Sequence, residues 1–329
     1  MKIKALYFAC ISILLILAMY VIHDLNITTL TTKQCFLVNN SALIFDQKSL
    51  NRFEFFKVKR TDSYPYVSGD TFRMISDYVL DNIENSLPND FNLKQNAKIF
   101  LKTDYLDRFF NQYFPQIKSK IILISHNSDY PVSIRFKQYL EDSRILAWFG
   151  QNAEFLHPKL IPIPIGFQNT HISPDYSRKI MQLRNAKLKP WNSRKIVLYI
   201  NFNFKTNVNA RQKFLNFFES FKDVMIIKNR VSFSTYIGHL NDTKFVLCPR
   251  GNGLDTHRFY ETVLMGAIPI VESSALDPIY ENRTVLVLPK LEQLTQDMLD
   301  NPHLYIKNMN FSQDLIFMET WLRKLFSYG

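Results

Sequence analysis

The chain has few of the residues that build metal centres or disulfide scaffolds. It contains 3 cysteines among 329 residues, and no CxxC, HExxH or comparable His and Cys pair occurs at ligand spacing, which excludes the common zinc sites. It has no internal repeat and no low-complexity segment. Its net charge of +11 suits nucleotide diphosphates, acidic glycans or anionic membrane surfaces. The basic residues are scattered, however, and no nucleic-acid-binding module is predicted.

Glycine is also scarce, with 8 residues against 28 phenylalanines. The length is that of two ordinary domains, and the 47% hydrophobic residues are enough to fill two cores. Of the cysteines, Cys10 lies in an apolar N-terminal segment, which leaves Cys35 and Cys248. Cys248 ends an apolar strand, where a free cysteine packs as a small hydrophobic residue. We prefer this reading to a disulfide between Cys35 and Cys248.

The N-terminal segment predicts a membrane anchor. Residues 5–22 are uncharged and almost wholly apolar, and Lys2 and Lys4 precede them. This is about long enough to cross a bilayer with an apolar core of roughly 30 Å, and the lysines favour a cytoplasmic N-terminus. No clear cleavage site follows, so we predict a signal anchor. The rest of the chain then faces a lumen, periplasm or cell exterior. If the source is eukaryotic, the protein is a single-pass type II membrane protein of the Golgi or another secretory lumen. Five glycosylation sequons agree with this: Asn26, Asn39, Asn241, Asn282 and Asn310.

Beyond a polar tether, apolar runs alternate with helical patterns and predict a mostly parallel α/β fold. In the first half, the predicted helices are 71–85 and 106–114, and the predicted strands are 97–102, 120–125, 144–148 and 160–165. A charged linker is predicted over 178–194. In the second half, the predicted strands are 195–201, 224–227, 245–248, 267–271 and 285–288, and the predicted helices include 210–221, 232–240 and a terminal helix 315–326 that packs back across the domains. We expect an anchor region at 1–24 and Rossmann-like domains at 25–185 and 186–329.

The most informative segment is residues 245–271, FVLCPRGNGLDTHRFYETVLMGAIPIV. It places a glycine-containing turn between a buried strand and a helix that runs to Met265. Gly251 and Gly253 free the turn from Cβ contacts. The N-terminus of a helix in this position attracts phosphate, and Arg250 is placed to bind the same group. The segment therefore predicts an anion-binding loop.

The polar residues of this helix share one surface. Asp255 or Thr256 is the predicted cap, and His257, Arg258 and Glu261 lie three or four residues apart on the first two turns. A carboxylate close to the phosphate would repel it, so Glu261 is predicted to accept hydrogen bonds from ribose hydroxyls. The alternative is a structural ion pair and cap formed by Asp255, Arg258 and Glu261, because surface pairs of this kind are common.

The stretch PRGNGLDTHRFYETVLMGAIPIV resembles the donor-binding signature of exostosin-like glycosyltransferases, a PRG-x-G-x-D-x-x-R-x-x-E pattern followed by a G-x-I-P-V/I strand. Looser pieces resemble wider relatives of that family: SGDTFR at 68–73, SHNSD at 125–129, WFGQN at 148–152 and HPKLIPIPIGFQN at 157–169. The resemblance implies a GT-B fold, with two Rossmann-like domains that close on a nucleotide sugar. It also implies inverting transfer of the sugar to a hydroxyl of a glycan or glycoprotein. The expected donor-binding residues are Arg250, Gly251, Gly253, Asp255, His257, Arg258 and Glu261.

The chain contains no DxD triplet. Glycosyltransferases of the other major fold usually hold a manganese diphosphate through that triplet. Its absence favours GT-B and a donor site without a metal. We expect no cofactor besides the nucleotide sugar itself, and favour a UDP-sugar.

The predicted general base lies in the first domain. Inverting transfer needs a group that takes the proton from the acceptor hydroxyl. Asp129 is preferred and His126 is the next candidate, since both lie at the carboxyl end of strand 120–125; Glu154 and His157 are further candidates. The alternative for Asp129 is an ordinary turn residue ahead of a proline.

Two other functional classes stay open. One is a fucosyltransferase-type enzyme that uses a guanine nucleotide sugar and keeps the same two-domain fold. The other is a non-catalytic, membrane-anchored glycan-binding or assembly subunit. Four charged residues near one helix end speak against the second class: Arg250, Asp255, Arg258 and Glu261. The sequence is compatible with a homo- or hetero-oligomer.

Overall fold

The computed structural model describes residues 62–328 apart from 213, 219 and 220, and these belong to one compact unit that spans Val58–Gly329. The predicted anchor and Cys35 lie outside the described residues. Among the described residues, no helix is long and apolar enough to cross a membrane.

Two five-stranded parallel sheets form the core. Strands β1 to β5 are Tyr78–Leu80, Ala97–Lys102, Ile121–His126, Ile145–Gln151 and Leu160–Ile163. Strands β6 to β10 are Ile196–Ile200, Val224–Ile226, Thr243–Leu247, Ile268–Glu272 and Leu286–Leu288. The first sheet has the order β1-β2-β3-β4-β5, and the second has the order β10-β9-β8-β6-β7. Two parallel α/β sheets of this kind are consistent with a Rossmann-like GT-B fold.

Short helices connect the strands. The α-helices α1 to α11 are Gly69–Met74, Leu106–Arg108, Lys137–Leu140, Pro174–Gln182, Val208–Arg211, Phe214–Phe217, Phe233–Asn241, His257–Leu264, Asp277–Tyr280, Gln296–Asp300 and Met318–Phe326. A π-helical turn is found at Phe109–Tyr113. The 3-10 turns are Thr103–Tyr105, Phe114–Gln116, Ile134–Phe136, Leu183–Asn185, Trp191–Ser193, Leu291–Gln293, Pro302–Leu304 and Asp314–Ile316.

The strands lie where the sequence has short apolar runs. All the predicted strands are confirmed: β2 has the predicted bounds, β3 is displaced by one residue, β4 runs three residues further, and the ends of the others differ by one or two residues. Ile99, Phe100, Leu123 and Ile124 are fully buried, as expected for parallel strands covered on both faces.

The helix predicted over residues 71–85 is wrong beyond its first turns. The Ser68 hydroxyl caps α1 by accepting the Thr71 N–H, but the helix ends at Met74. The next residues form β1, which pairs with β2. The apolar spacing suggested one helical face, yet Val79 is buried in the sheet and the side chain of Ile83 is 48% exposed. Pairing with a buried neighbouring strand therefore overrides the local helical pattern.

Two other predicted helices are less regular than expected. The segment 106–114 begins as α2, continues as the π-helical turn and ends in a 3-10 turn that contains Pro115. Phe110 is buried there and stacks on Tyr139, with ring centroids 3.8 Å apart. The segment 210–221 contains two short helices, α5 and α6.

The C-terminal helix α11 returns to the first sheet, in agreement with the predicted packing. Phe317, just before it, forms a β-bridge with Tyr66. The Nζ atom of Lys98 on β2 lies 5.0 Å from the ring centroid of Phe326. The chain that ends the second half thus completes the packing of the first half.

The two sheets differ in topology at the edge where their strands end. In the second sheet, β6 lies between β7 and β8, so the chain reverses its direction of travel across the sheet there. Ligands of parallel sheets bind beyond the carboxyl ends of the strands at such a reversal. The first sheet follows chain order and has no reversal. The topology of the second sheet therefore predicts a ligand-binding site at this edge.

Candidate functional site

Helix α8 starts directly after the glycine-containing loop and positions three polar side chains. Thr256 is the N-cap residue but makes no side-chain cap hydrogen bond, and its N–H donates to Asp255 Oδ1 at 2.8 Å. The apolar face of the helix is buried, which turns His257, Arg258 and Glu261 towards a cavity in front of the second sheet.

This cavity, the second-half cavity, has a volume of ≈ 650 Å³. The loop after β6 lines it through Asn201 and Asn203, and the start of α8 also lines it. Its lining includes four basic side chains: Lys179, Arg211, Arg230 and Arg258. Glu261 is the one carboxylate among the described lining residues. This excess of positive charge favours an anionic ligand.

Arg258 has an unused hydrogen-bonding capacity. Its Nε atom is buried and has no hydrogen-bond partner among the described residues. Its guanidinium lies 5.8 Å from the ring centroid of Phe202, and no ion pair is found for it in the described part of the chain. A buried donor without a partner costs about 1 to 3 kcal/mol. A phosphate oxygen in the cavity would supply the missing acceptor.

A second arginine shapes the same wall. Arg211 donates to the carbonyl oxygens of Asn203 at 3.1 Å, Arg250 at 2.9 Å and Pro249 at 3.4 Å. Burial, and next the charge of Arg258, lower the pKa of Arg211 to about 10. It is therefore still a cation at neutral pH, and an anion bound here would relieve the repulsion between the two guanidinium groups.

Glu261 is held by two tyrosines. Tyr176 donates its hydroxyl to Oε1 at 2.7 Å, and Tyr236 donates to Oε2 at 2.8 Å. Burial, and next the charge of Glu261, raise the pKa of both phenols well above the usual value, so they stay protonated donors. Each carboxylate oxygen keeps a second lone pair for a ligand hydroxyl. No ion pair between Glu261 and Arg258 is found within the described residues, in contrast to the structural alternative.

Arg250 lies away from the second-half cavity. It is exposed, and its Nη2 donates to the carbonyl oxygen of Asn252 at 3.3 Å. It lines a smaller cavity of ≈ 130 Å³ instead. Gly251 is buried under Arg211, where a Cβ atom would lie 3.1 Å from Nη2. Arg258, rather than Arg250, is therefore among the cations that line the larger cavity.

Gly253 and Asp255 connect the two halves. A Cβ atom on Gly253 would lie 2.5 Å from Nδ2 of Asn152, which follows β4. Asn152 Oδ1 accepts the Asp255 N–H at 3.0 Å, and Asp255 Oδ2 accepts the N–H of Ile165 at 2.8 Å and the hydroxyl of Tyr260 at 2.5 Å. Burial raises the pKa of Asp255 to about 6. These two signature residues thus dock the loop onto the first sheet.

His257 stands between two cavities. Its Nδ1 lies 2.6 Å from the carbonyl oxygen of Gly166, so this nitrogen carries the proton in the neutral ring. His257 and Gln168 line both the second-half cavity and a neighbouring one in front of the first sheet. A group transferred between the two cavities would pass these residues.

The neighbouring first-half cavity has a volume of ≈ 540 Å³. Most of its lining residues are polar and come from the ends of β1, β2, β3 and β4 and from the loop after β5, including Asp81, Lys102, Asn127, Gln151 and His171. Gln151 is 1% exposed, and its Oε1 has no hydrogen-bond partner among the described residues. A ligand hydroxyl would satisfy it.

Both predicted base residues line the first-half cavity. His126 Nε2 lies 3.0 Å from the carbonyl oxygen of Pro164, and Nδ1 accepts the Asn127 N–H at 2.7 Å. Burial lowers the pKa of His126 to about 4, so it is neutral with both nitrogens occupied. Asp129 is exposed, and its Oδ2 accepts from Asn252 Nδ2 at 3.1 Å. These contacts favour structural roles for both residues.

The remaining sequence candidates lie outside the first-half and second-half cavities. His157 pairs with Glu141, with Nε2 and Oε1 3.2 Å apart, and neither it nor Glu154 lines the first-half cavity. Cys248 is a free, buried cysteine, and burial raises the pKa of its thiol to about 12. Within the described part of the chain, no group of three or more His, Cys, Asp or Glu side chains is placed to hold a metal ion.

Sequence reasoning missed Tyr176, Arg211 and Tyr236 at the second-half cavity. Tyr176 lies on α4, immediately ahead of the stretch predicted to be a linker, and the other two lie in predicted helices without a motif. No local pattern marks a residue whose partner is 25 or 85 positions away. The only available signal was the tyrosine itself, since a buried hydroxyl needs a partner.

Three of the looser motifs meet at the first-half cavity. Asn127 Nδ2 donates to Asp70 Oδ1 at 3.3 Å, Asn169 Nδ2 donates to Asn127 Oδ1 at 2.8 Å, and the Asp70 N–H donates to Asn169 Oδ1 at 2.9 Å. SGDTFR, SHNSD and the end of HPKLIPIPIGFQN thus form one closed hydrogen-bonded network. Asp70 and His171 are functional candidates that the sequence analysis did not identify.

Part of the chain matches a known family model. Residues 224–324 match the family model described as the RXYLT1 C-terminal domain. The matched region begins at β7, contains α8 with Arg258 and Glu261, and does not include the first sheet. The match indicates a glycosyltransferase. A comparison of the chain with curated proteins gives no significant match.

Proposed function

We propose that the protein is a GT-B glycosyltransferase that transfers a sugar from a nucleotide-sugar donor to a hydroxyl of a glycan or glycoprotein. The second-half cavity carries this proposal. It combines Arg258, whose buried Nε has no partner among the described residues, with Glu261, which two tyrosines hold in place. A nucleotide sugar presents a diphosphate to the first and a ribose to the second.

The donor lies across the start of α8 in this proposal. Arg258 and the helix N-terminus bind the diphosphate, with Arg211 adding positive charge, and Glu261 accepts from the ribose. The sugar then reaches His257 and Gln168, which border the first-half cavity. The cations of the cavity are enough to balance the diphosphate, so we propose a donor site without a metal. A UDP-sugar is the favoured donor.

The acceptor occupies the first-half cavity. Its hydroxyl attacks the anomeric carbon from the side opposite the diphosphate, which inverts the configuration there. With the predicted anchor at residues 5–22, the reaction takes place in a secretory lumen. Exposed Asn282 and Asn310 are available for glycosylation in such a compartment.

Calorimetry with UDP tests the donor site. Arg258→Ala should weaken UDP binding by roughly 1.5 to 3 kcal/mol, the scale of a hydrogen bond to a charged group. This is roughly a 10- to 150-fold higher Kd. Arg250→Ala is the matched control, because it makes the same change in the loop ahead of α8 and lies outside the cavity.

The two variants give opposite results if the donor lies elsewhere. Equal Kd values for Arg258→Ala and the parent, with a loss in Arg250→Ala, would move the diphosphate to the smaller cavity. Binding of GDP in preference to UDP would favour the fucosyltransferase-type alternative. Nucleotide binding without turnover of any sugar donor would favour the non-catalytic subunit.

A further inference from the structure

We propose that His171, oriented by Asp70, is the catalytic base that takes the proton from the acceptor hydroxyl. This inference rests on the proposed glycosyltransferase function and deepens it by assigning the proton transfer. The pair joins Asp70, in the first turn of α1, to a loop residue 101 positions later.

Asp70 is fixed before it meets the histidine. Its side chain is 1% exposed, and Oδ1 accepts from Asn127 Nδ2 at 3.3 Å. Its N–H donates to Asn169, which in turn donates to Asn127. Gly69 allows this close approach, since a Cβ atom there would lie 1.7 Å from Asn127 Oδ1. These contacts hold the Asp70 carboxylate in one orientation.

His171 is half-buried and lines the first-half cavity. Its Nδ1 lies 2.6 Å from Asp70 Oδ2, which places the ring proton on Nδ1 in the neutral state. Nε2 then carries the lone pair and has no protein partner among the described residues. A buried carboxylate that holds a histidine in this tautomer is the arrangement that makes imidazole an effective base.

The cavity wall supplies a second, independent sign of a ligand. Gln151 Oε1 is buried without a partner in the described part of the chain, and Gln151 lines the same cavity. An acceptor with several hydroxyls can donate one hydrogen bond to Gln151 and present another hydroxyl to His171. The cavity volume of ≈ 540 Å³ accommodates a sugar unit.

The chemistry balances without a further reagent. The acceptor oxygen forms a bond to the anomeric carbon while its proton moves to His171 Nε2. The bond from the anomeric carbon to the diphosphate oxygen breaks, and the nucleotide diphosphate leaves with the electron pair. The resulting imidazolium is stabilised by the Asp70 carboxylate and later releases its proton to water.

The other imidazole of this cavity and the predicted carboxylate are less suited to the step. His126 has both ring nitrogens in hydrogen bonds to the backbone. Asp129 is exposed and already accepts from Asn252. His257 is oriented by a carbonyl oxygen rather than a carboxylate, so an imidazolium at that position gains less stabilisation.

The test uses His171→Asn in the full chain. Release of UDP is followed with a panel of UDP-sugars and methyl glycosides as acceptors, and the fastest pair is used for kinetics. We expect kcat to fall by on the order of 10² to 10⁴, the usual contribution of a positioned base, while the Kd of UDP stays at the parental value. His303→Asn is the control, since this histidine is exposed and lines neither cavity, and it should leave kcat unchanged.

Two further variants separate catalysis from structure. His171→Ala should recover activity when imidazole is added to the buffer, which a merely structural histidine would not do. Asp70→Asn should lower kcat without changing the Kd of UDP, because Asp70 positions the base and contacts no donor. A third variant, Asp129→Asn, tests the competing base in the same assay.

The outcomes distinguish the two levels of the proposal. Parental kcat in His171→Asn, or a loss of 10² or more in Asp129→Asn with UDP binding kept, on the order expected for a base, overturns the assignment of His171. A parent that binds neither UDP nor GDP and turns over no sugar donor overturns the proposed function itself, and the base assignment with it.

Discussion

The two halves of the protein build their cavities in different ways. In the second half, the chain reverses at β6, and the residues that face the cavity include neighbours on one helix, His257, Arg258 and Glu261. In the first half, the strands follow chain order, and the polar cluster at the cavity joins Asp70 to His171 across a hundred residues. The first cavity depends mainly on loops at the strand ends, whereas helices α4, α5, α7 and α8 all contribute side chains to the second.

This difference decides which contacts are most sensitive. A contiguous element such as α8 keeps its side chains in register through its own helical geometry. The first-half cluster joins separate segments by hydrogen bonds, and the signature loop docks against other parts of the first half through Asp255, Gly253 and His257. The connection between the halves is therefore as important as either cavity.

The largest expected effect is at that connection. Gly166 has a φ of +67°, and a Cβ atom there would lie 2.1 Å from the backbone oxygen of Val67. Gly166→Ala should therefore destabilise the protein by roughly 2 to 5 kcal/mol, from the left-handed backbone and the forced repacking together. Thermal or urea unfolding measures the change.

Gly238→Ala is the control, because nothing lies within 4 Å of its Cβ position in helix α7. It should stabilise by about 0.5 to 1 kcal/mol. Equal stability of the two variants would contradict the close approach of Val67 to Gly166.

A smaller effect is expected from pH at the same connection. Burial raises the pKa of Asp255 to about 6, so the folded protein binds a proton at a pH where the unfolded chain does not. The parent should therefore gain stability relative to Asp255→Asn as the pH falls from 8 to 5, by about 1.4 kcal/mol. The gain is lost again as the pH rises through about 6. Unfolding curves of both proteins across this range measure it, and a stability difference that does not change with pH would contradict the buried carboxylate.

The smallest effect is expected for UDP binding at the second-half cavity. Glu261→Gln should weaken UDP binding by about 1 kcal/mol, because the neutral amide is a poorer acceptor for ribose, and should leave the fold intact. Glu272→Gln, on the surface strand end that pairs with Lys290, is the control and should bind UDP like the parent. Calorimetry and melting temperature on the same samples separate the two effects. A fall in melting temperature with unchanged Kd would assign Glu261 to the packing of Tyr176 and Tyr236 alone.

Much of the second half could be predicted because its information is local. The strands from β6 to β10 are short apolar runs, and the glycine-containing loop is read directly from residues 250–255. The helix spacing also predicted that His257, Arg258 and Glu261 share one surface, and all three line the second-half cavity. The same local reasoning failed over residues 71–85, where pairing with β2 decides the structure.

The sequence by itself determined two parallel α/β sheets, the loop between β8 and α8, and the set of polar side chains at the start of that helix. These depend on residues within a few positions of one another, through burial of apolar runs and helical periodicity. Only the tertiary structure decided that Arg258 rather than Arg250 faces the cavity, that Tyr176 and Tyr236 hold Glu261, and that Asp70 orients His171. Each of these contacts joins side chains from different segments, and a hydrogen bond depends on distance in space, which the local pattern of the chain does not contain.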